Sequence, residues 1–306
     1  MAPTSFLAKQ LASAGMQQAV TAAGACWRDV TKQRSWTDYS TLPDRVSIII
    51  PALNEEKCIA DTLQIVQALD PSPHEVIVVD GGSTDRTKAI AAGLGVRVLP
   101  CSAGRAKQMN AGAEAATGDL LCFLHADTHP PHEVVSVIRG VMTHPNIVLA
   151  GFRTTIQTEG RRLHGMTFHH LVKTYYVAML LRPLAFVRGI RCLFGDQTLF
   201  CRAADFKAIG GFQNDLPIME DVDLCIRMHE AGPSSKALAG PSSNHRRGRV
   251  TMVMSPVNCT SGRRLSDWGA VQATLIHFYI ALRWYFGASP AQMYSVYHQM
   301  YTDNHR

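Results

Sequence analysis

The sequence predicts an α/β protein with a mainly parallel central sheet flanked by helices. Three observations carry that prediction. Short β-branched or apolar runs alternate with segments of helical periodicity through the first half of the chain. Each connection is long enough for a right-handed return between parallel strands. Unusual polar residues follow the runs rather than interrupting them, the place where open α/β sheets bind ligands.

Val46 to Ile50 reads as a buried first strand, ended by Pro51. Asn54 is expected to N-cap the following helix, with Glu55 and Glu56 in its first turn and Ile59, Leu63, Val66 and Leu69 on one face. Glu75 to Val79 gives a second strand that stops at Asp80-Gly81-Gly82, and Ser83 or Thr84 should cap a helix running to about Ala92. Val96 to Leu99 is a third strand, followed by Arg105, Lys107 and an alanine-rich helix reaching to Gly118. Leu120 to Leu124 is a wholly apolar fourth strand that ends at His125 and Asp127. The polar residues after all four strands should therefore converge on one sheet edge.

A helix is expected at about Pro131 to Met142, and Ile147 to Ala150 opens a second half. Gly195 to Cys201 reads as another buried strand. Glu220, Asp221 and Asp223 crowd together just ahead of a helix from Leu224 to Glu230. The tail reads as two helices separated near Gly287 to Pro290. The expected organisation is an extension over 1–43, a main domain over 44–240 with halves 44–150 and 151–240, and a loop with helices over 241–306.

The chain has 306 residues, 46% hydrophobic, with a formal net charge of +6. That size and composition suit a globular protein with a sizeable core, and the charge favours anionic ligands or an anionic membrane surface. No basic run interleaved with aromatics is present, so no nucleic-acid partner is expected. The eight cysteines form no C-x-x-C pair, which suits a reducing, intracellular compartment. Residues 1–43 are rich in Ala, Ser, Thr and Gln, with no acidic residue before Asp29. They read as an organellar transit peptide, for a plastid or mitochondrion, or as a helical or disordered extension of a cytoplasmic protein. No apolar run is long enough to span a membrane. The basic and apolar residues from Arg161 to Arg191, and Trp268 to Phe286, are either core helices or a peripheral membrane contact.

Each polar constellation carries two readings. Asp80, ahead of two glycines, either accepts hydrogen bonds from a nucleoside or closes its own turn. Asp127 with His125 either holds a hard divalent cation, Mg²⁺ or Mn²⁺, or caps a helix. Arg105 and Lys107 at a helix start favour a phosphate, against a reading as solvated charges. Glu220 and Asp221 are either a helix-start acidic run or a general base whose pKa its neighbours raise. The absence of G-x-G-x-x-G after the first strand weighs against a dinucleotide cofactor.

Five segments in order resemble the inverting GT-A glycosyltransferases of family 2. They are Ser47-Ile-Ile-Ile-Pro-Ala-Leu-Asn-Glu55, Val78-Val-Asp-Gly-Gly-Ser-Thr-Asp85, Gly104-Arg-Ala-Lys-Gln-Met-Asn-Ala-Gly112, Gly118 through Asp127, and Met219-Glu-Asp-Val-Asp223. The closer likeness is to a bacterial subgroup associated with radical-SAM and selenium-related genes, through Phe123-Leu-His-Ala-Asp127 and Thr260-Ser-Gly-Arg-Arg264. The resemblance implies a GT-A fold and a UDP- or GDP-linked sugar donor. It implies donor contacts from Pro51, Asn54, Glu55, Asp80, Gly81, Arg105 and Lys107, with Arg263 and Arg264 at the diphosphate. It also implies Mn²⁺ or Mg²⁺ on Asp127 and His125, and Asp221, with Glu220 beside it, at the acceptor hydroxyl. The acceptor is left open, with lipid-linked acceptors among the candidates. Two departures stand out: His125 replaces the first carboxylate of the D-x-D motif, and the Gln-x-x-Arg-Trp motif of processive members is missing. The first keeps open a protein that binds nucleotide or acts as a scaffold without turnover.

Overall fold

The computed structural model describes residues 39–158, 160–234, 247–262 and 269–302. The first half runs β1 (Val46–Ala52), α1 (Ile59–Gln67), β2 (Glu75–Asp80), α2 (Thr87–Gly93), β3 (Arg97–Pro100), α3 (Arg105–Ala115), β4 (Leu120–Phe123), β5 (Thr128–His129) and α4 (Val134–Met142). The second half runs β6 (Ile147–Thr158), β7 (Arg161–Arg162), α5 (His164–Leu181) and α6 (Pro183–Val187), then a 3-10 turn (Gly195–Gln197) and β8 (Leu199–Arg202). It continues with α7 (Ala203–Ala208), α8 (Glu220–Ala231), β9 (Arg249–Ser261), α9 (Gly269–Tyr285) and α10 (Pro290–Thr302).

One nine-stranded sheet has the order β3-β2-β1-β4-β8-β6-β9-β5, with β7 paired to β6. β1 is parallel to both β2 and β4, and β3 continues parallel on β2. The carboxyl ends of these four strands therefore share one edge. The chain moves outward from β1 through β2 to β3, then crosses back to place β4 on the other side of β1. The crevice between the carboxyl ends of β1 and β4 is a topological switch point, where α/β sheets take ligands.

The sheet is covered on both faces, which explains its continuous apolar strands. In β1, Val46, Ile48 and Ile50 join the core under α1 and α4, while Ile49 joins the core under α3 and α8. Phe123 packs on Phe206 and Phe212 at centroid distances of 5.2 and 5.1 Å, tying the end of β4 to α7 and to the turn that leads toward α8. Gly112 lets α3 lie directly on the sheet, since a Cβ there would strike the side chain of Ile49.

Several local expectations are corrected. Asn54 is not an N-cap: α1 begins five residues later, and Asn54 has a left-handed backbone with φ 55°. α2 begins at Thr87, where the Asp85 carboxylate takes the Thr87 N–H at 2.9 Å, so neither Ser83 nor Thr84 caps it. Gly195–Gln197 is a 3-10 turn, and the strand starts only at Leu199. α8 starts at Glu220, which puts the three carboxylates inside its first turn rather than ahead of it.

The boundary expected at residue 240 does not hold for the sheet. β9 lies between β6 and β5, so residues 249–261 complete the sheet instead of forming a loop. β6 also runs across the boundary expected at residue 150. β9 was obscured by Pro256, around which its register against β6 shifts from Phe152/Val253 to Thr154/Asn258. α5 falls in the stretch from Arg161 to Arg191 read as core helices or a membrane contact, and its weak amphipathic period gave it no bounds in the sequence.

Candidate active site

The site is built on the shared carboxyl edge. The loops after β1 and β2 are pinned to each other through Asn54. Its N–H donates to Ser83 Oγ at 2.9 Å, and its Oδ1 accepts the Thr84 N–H at 2.9 Å. Glu55 donates its N–H to Thr87 Oγ1 at 2.7 Å. Asp80 is buried and accepts the N–H groups of Gly82 and Ser83, each at 3.2 Å, so the carboxylate closes its own turn. Gly81 donates its N–H to Ala52 O at 2.9 Å beside the end of β1. Pro51 pairs with Val79 inside the sheet.

The third motif is a clamp. Gln108 donates to Ala52 O at 2.9 Å and to Val79 O at 2.8 Å, holding the ends of β1 and β2 together. Asn110 makes reciprocal 2.9 Å bonds with the Phe212 backbone, which anchors the approach to α8. Arg105, in the first turn of α3, donates to Glu220 Oε1 at 3.0 Å; the Glu220 side chain is 2% exposed and that of Arg105 38%. Lys107 is exposed and forms no ion pair among the described residues.

His125 and Asp127 sit on a tight turn closed by the Thr128 N–H on His125 O at 3.1 Å. Thr62 Oγ1 holds Ala126 O at 2.7 Å, and the Ser261 N–H donates to Asp127 O at 3.2 Å. The end of β9 therefore runs directly past Asp127. Arg263 and Arg264, which follow Ser261 closely in the chain, lie outside the described residues.

Asp221 joins this corner through Gly195, whose N–H donates to Asp221 Oδ2 at 2.8 Å. A Cβ on Gly195 would fall on His125 Nε2, so only glycine allows the turn, the imidazole and the carboxylate to approach so closely. Asp221 Oδ1 is buried and accepts no hydrogen bond among the described residues. Burial, reinforced by Glu220, pushes the Asp221 carboxyl up to about 8, against the opposing pull of Arg105 and the Gly195 N–H. Met219 precedes α8 with φ 69°, a conformation costly for a non-glycine residue and often found where the fold fixes a functional side chain. Asp223 leaves the cluster for Arg227, at 2.7 Å.

Sequence reasoning missed a layer of charge behind Asp221. Asp196 Oδ2 lies 2.7 Å from His170 Nε2 of α5, and Lys173 Nζ sits 3.8 Å over the Phe194 ring. Burial alone would raise the Asp196 carboxyl, but His170, Lys173 and His125 outweigh it and hold it well below the usual carboxylate range. Burial lowers the Lys173 ammonium, and Asp196 and Asp221 oppose that change. The available signal was Asp196 itself, a carboxylate inside a segment that otherwise reads as a buried strand.

Among the described residues no cluster of three or more His, Cys, Asp or Glu side chains could hold a metal ion. The half-buried imidazole of His125 and carboxylate of Asp127 are two donors on one turn at the sheet edge. Such a pair fits an open site whose remaining positions come from substrate oxygens and water, the usual habit of Mg²⁺, rather than a closed protein cage.

The sheet and its carboxyl-edge loops define the GT-A class of α/β proteins. The mannosyltransferase PcManGT of Pyrobaculum calidifontis, solved with GDP-mannose and Mn²⁺, matches with a TM-score of 0.58 at 17% identity, over 95% of this chain and 79% of that one. The chain belongs to glycosyl transferase family 2, whose model matches residues 47–206. Among curated relatives, the pre-mycofactocin glycosyltransferase of Mycobacterium tuberculosis is 27% identical over 194 residues, 61% of this chain and 39% of its own length. The beta-monoglucosyldiacylglycerol synthase of Synechocystis is 28% identical over 206 residues, 63% of this chain and 42% of its own length. The chain thus spans about two fifths of the length of these relatives.

Proposed function

We propose that this chain transfers a sugar from a UDP- or GDP-linked donor to an acceptor hydroxyl in one in-line displacement with inversion. The observation that carries this reading is Asp221: a buried carboxylate with a raised pKa, one oxygen held by Gly195 and the other uncommitted among the described residues. Once ionised, such a group is a strong base. Asp221 takes the acceptor proton while the acceptor oxygen bonds to the anomeric carbon. The bond from that carbon to the diphosphate breaks, and its electron pair leaves on the diphosphate.

The nucleoside lies in the crevice between β1 and β4, against the Pro51 to Glu55 loop and the turn of Asp80 and Gly81. The 38% exposure of Arg105 lets its guanidinium reach the diphosphate from the rim while Glu220 holds it. Lys107, exposed two residues further along the first turn of α3, adds cationic charge there. Asp127 and His125 would hold Mn²⁺ or Mg²⁺, which when bound neutralises diphosphate charge. Support comes from family membership and from a GT-A neighbour that binds GDP-mannose with Mn²⁺. Within the family we place the chain in the bacterial subgroup associated with radical-SAM and selenium-related genes, on its Phe-Leu-His-Ala-Asp segment.

The presence of His125 where a carboxylate is usual favours one rival reading, a nucleotide-binding or scaffold protein without turnover. Donor hydrolysis and nucleoside diphosphate calorimetry with Mn²⁺ or Mg²⁺ separate the two. Cation-dependent binding with hydrolysis that Asp221→Asn removes supports transfer; binding with no hydrolysis supports the rival.

A further inference from the structure

The site leaves one large feature unused. α5, α6 and α9 present large apolar side chains outward besides those they bury. Val271, Leu275 and Tyr279 recur at four-residue spacing along α9, with Phe286 just past its end; Val271 is 76% exposed, Leu275 65% and Phe286 79%. That spacing draws one stripe along the helix. α9 packs on α5, which exposes Phe168 and Leu180, and the short α6 exposes Leu184 at 72%. Large exposed apolar side chains gathered on three helices that pack together mark an interaction surface.

The charge pattern identifies the partner. From Gly160 to Gly195 there is no acidic residue; of the six basic residues there, Lys173 is buried, Arg191 lies on the Tyr175 and Phe186 rings and Arg182 pairs with Glu230, which leaves Arg161, Arg162 and Arg188 to set the charge of the surface. From Gly269 to Thr302 there is again no Asp or Glu. Arg161 and Arg162 lie exposed just before α5, and Arg188 lies exposed just after α6. An isologous contact with a second copy would set this net basic layer against itself. An anionic surface with an apolar interior satisfies both halves of the pattern. No described helix is long and apolar enough to cross a membrane, so the contact is one of lying on the surface.

We propose that the α5, α6 and α9 layer docks the protein on an anionic lipid bilayer, with the α9 stripe and Leu184 entering the boundary between headgroups and acyl chains and the flanking arginines meeting lipid phosphates. α5 also carries His170 and Lys173 behind Asp221, so the docked face adjoins the acceptor side of the site. The docking itself does not depend on the transferase reading.

The test is flotation of the full chain with phosphatidylcholine vesicles, with and without phosphatidylglycerol. The chain should float only with phosphatidylglycerol present, and added salt should weaken the binding. Leu275→Glu and Phe286→Glu should each cut the bound fraction about tenfold or more. The double change Arg161→Gln and Arg162→Gln should cut it about tenfold. Leu184→Glu, on a separate helix, provides the same readout if a change on α9 lowers the melting temperature. All these variants should keep the donor hydrolysis of the parent in detergent-free buffer, which separates failure of docking from failure of the active-site reading. No flotation with phosphatidylglycerol would overturn the proposal, as would flotation that the glutamate variants leave unchanged. A dimer in light scattering that Leu275→Glu dissolves would assign the face to a second copy instead.

Discussion

Arg105 and Glu220, 115 positions apart, meet at 3.0 Å and join the first turn of α3 to the first turn of α8. Glu220 is buried, so the guanidinium offsets a charge that water cannot reach. Arg105→Ala leaves that carboxylate and Asp221 facing each other without a cation. A loss of about 1–3 kcal/mol is expected in denaturant unfolding, less than for a fully buried pair because Arg105 is partly solvated. The ionisation that limits activity should also move to higher pH, since Arg105 lowers the Asp221 carboxyl. A pH–rate profile reads that shift directly.

Gly195 has no room for a side chain. Gly195→Ala drives a methyl group into the His125 imidazole and pushes the Asp221 carboxylate off its backbone donor. Donor turnover should fall by about a hundredfold or more, since misplacement by an ångström costs that much. Unfolding free energy should fall by only about 1–3 kcal/mol. Equal losses of stability and activity in Gly195→Ala and in Phe123→Ala, a core change, would show that Gly195 is merely structural.

Asp196 lies against His170, 2.7 Å away, behind the site, and Lys173 depends on the same carboxylate. Asp196→Asn removes one partner of a largely buried pair, and a destabilisation of about 3 kcal/mol is expected in urea unfolding. The Lys173 ammonium should titrate lower still, which lysine-selective labelling against pH would report.

His169 stacks on His277 with ring centroids 5.5 Å apart, and Thr274 Oγ1 lies 2.7 Å from His169 Nδ1. Burial, then Lys173 and His170, lowers the His169 imidazole to about 4, and burial lowers His277 well below its usual range. The unfolded chain therefore binds more protons than the native one between about pH 4 and 6.5. Stability from this pair is complete above about 6.5 and is lost as the pH falls toward 4. Unfolding midpoints across that range should drop for the parent protein and drop less for His169→Gln.

The parts legible in the sequence were those governed by local pattern. β1 to β4 were visible because buried parallel strands are continuous apolar runs, and the shared edge followed from their order. Asn54 was read as a cap because its chemistry suits one; the longer-range bonds to Ser83 and Thr84 override that local preference. Asp80 was legible as a strand-end carboxylate, and of its two readings the structure shows the one in which its oxygens engage its own turn. β9 was hidden by Pro256, and α5 was legible as helix but without bounds, since no amphipathic period marks its ends. The layer of Asp196, His170 and Lys173 exists only through tertiary contact between α5 and the 3-10 turn, and no spacing in the chain announces it.

On the function proposed above, Asp221 serves nucleotide-sugar turnover at the edge marked by His125 and Asp127. Release of nucleoside diphosphate from UDP- and GDP-linked sugars with Mn²⁺, compared between the parent protein and Asp221→Asn, tests it most directly. Release from at least one donor is expected, with a fall of about a hundredfold or more in Asp221→Asn and nucleoside diphosphate binding that the variant retains. Release that Asp221→Asn leaves intact, or a parent protein that neither binds nor releases nucleoside diphosphate, would contradict it.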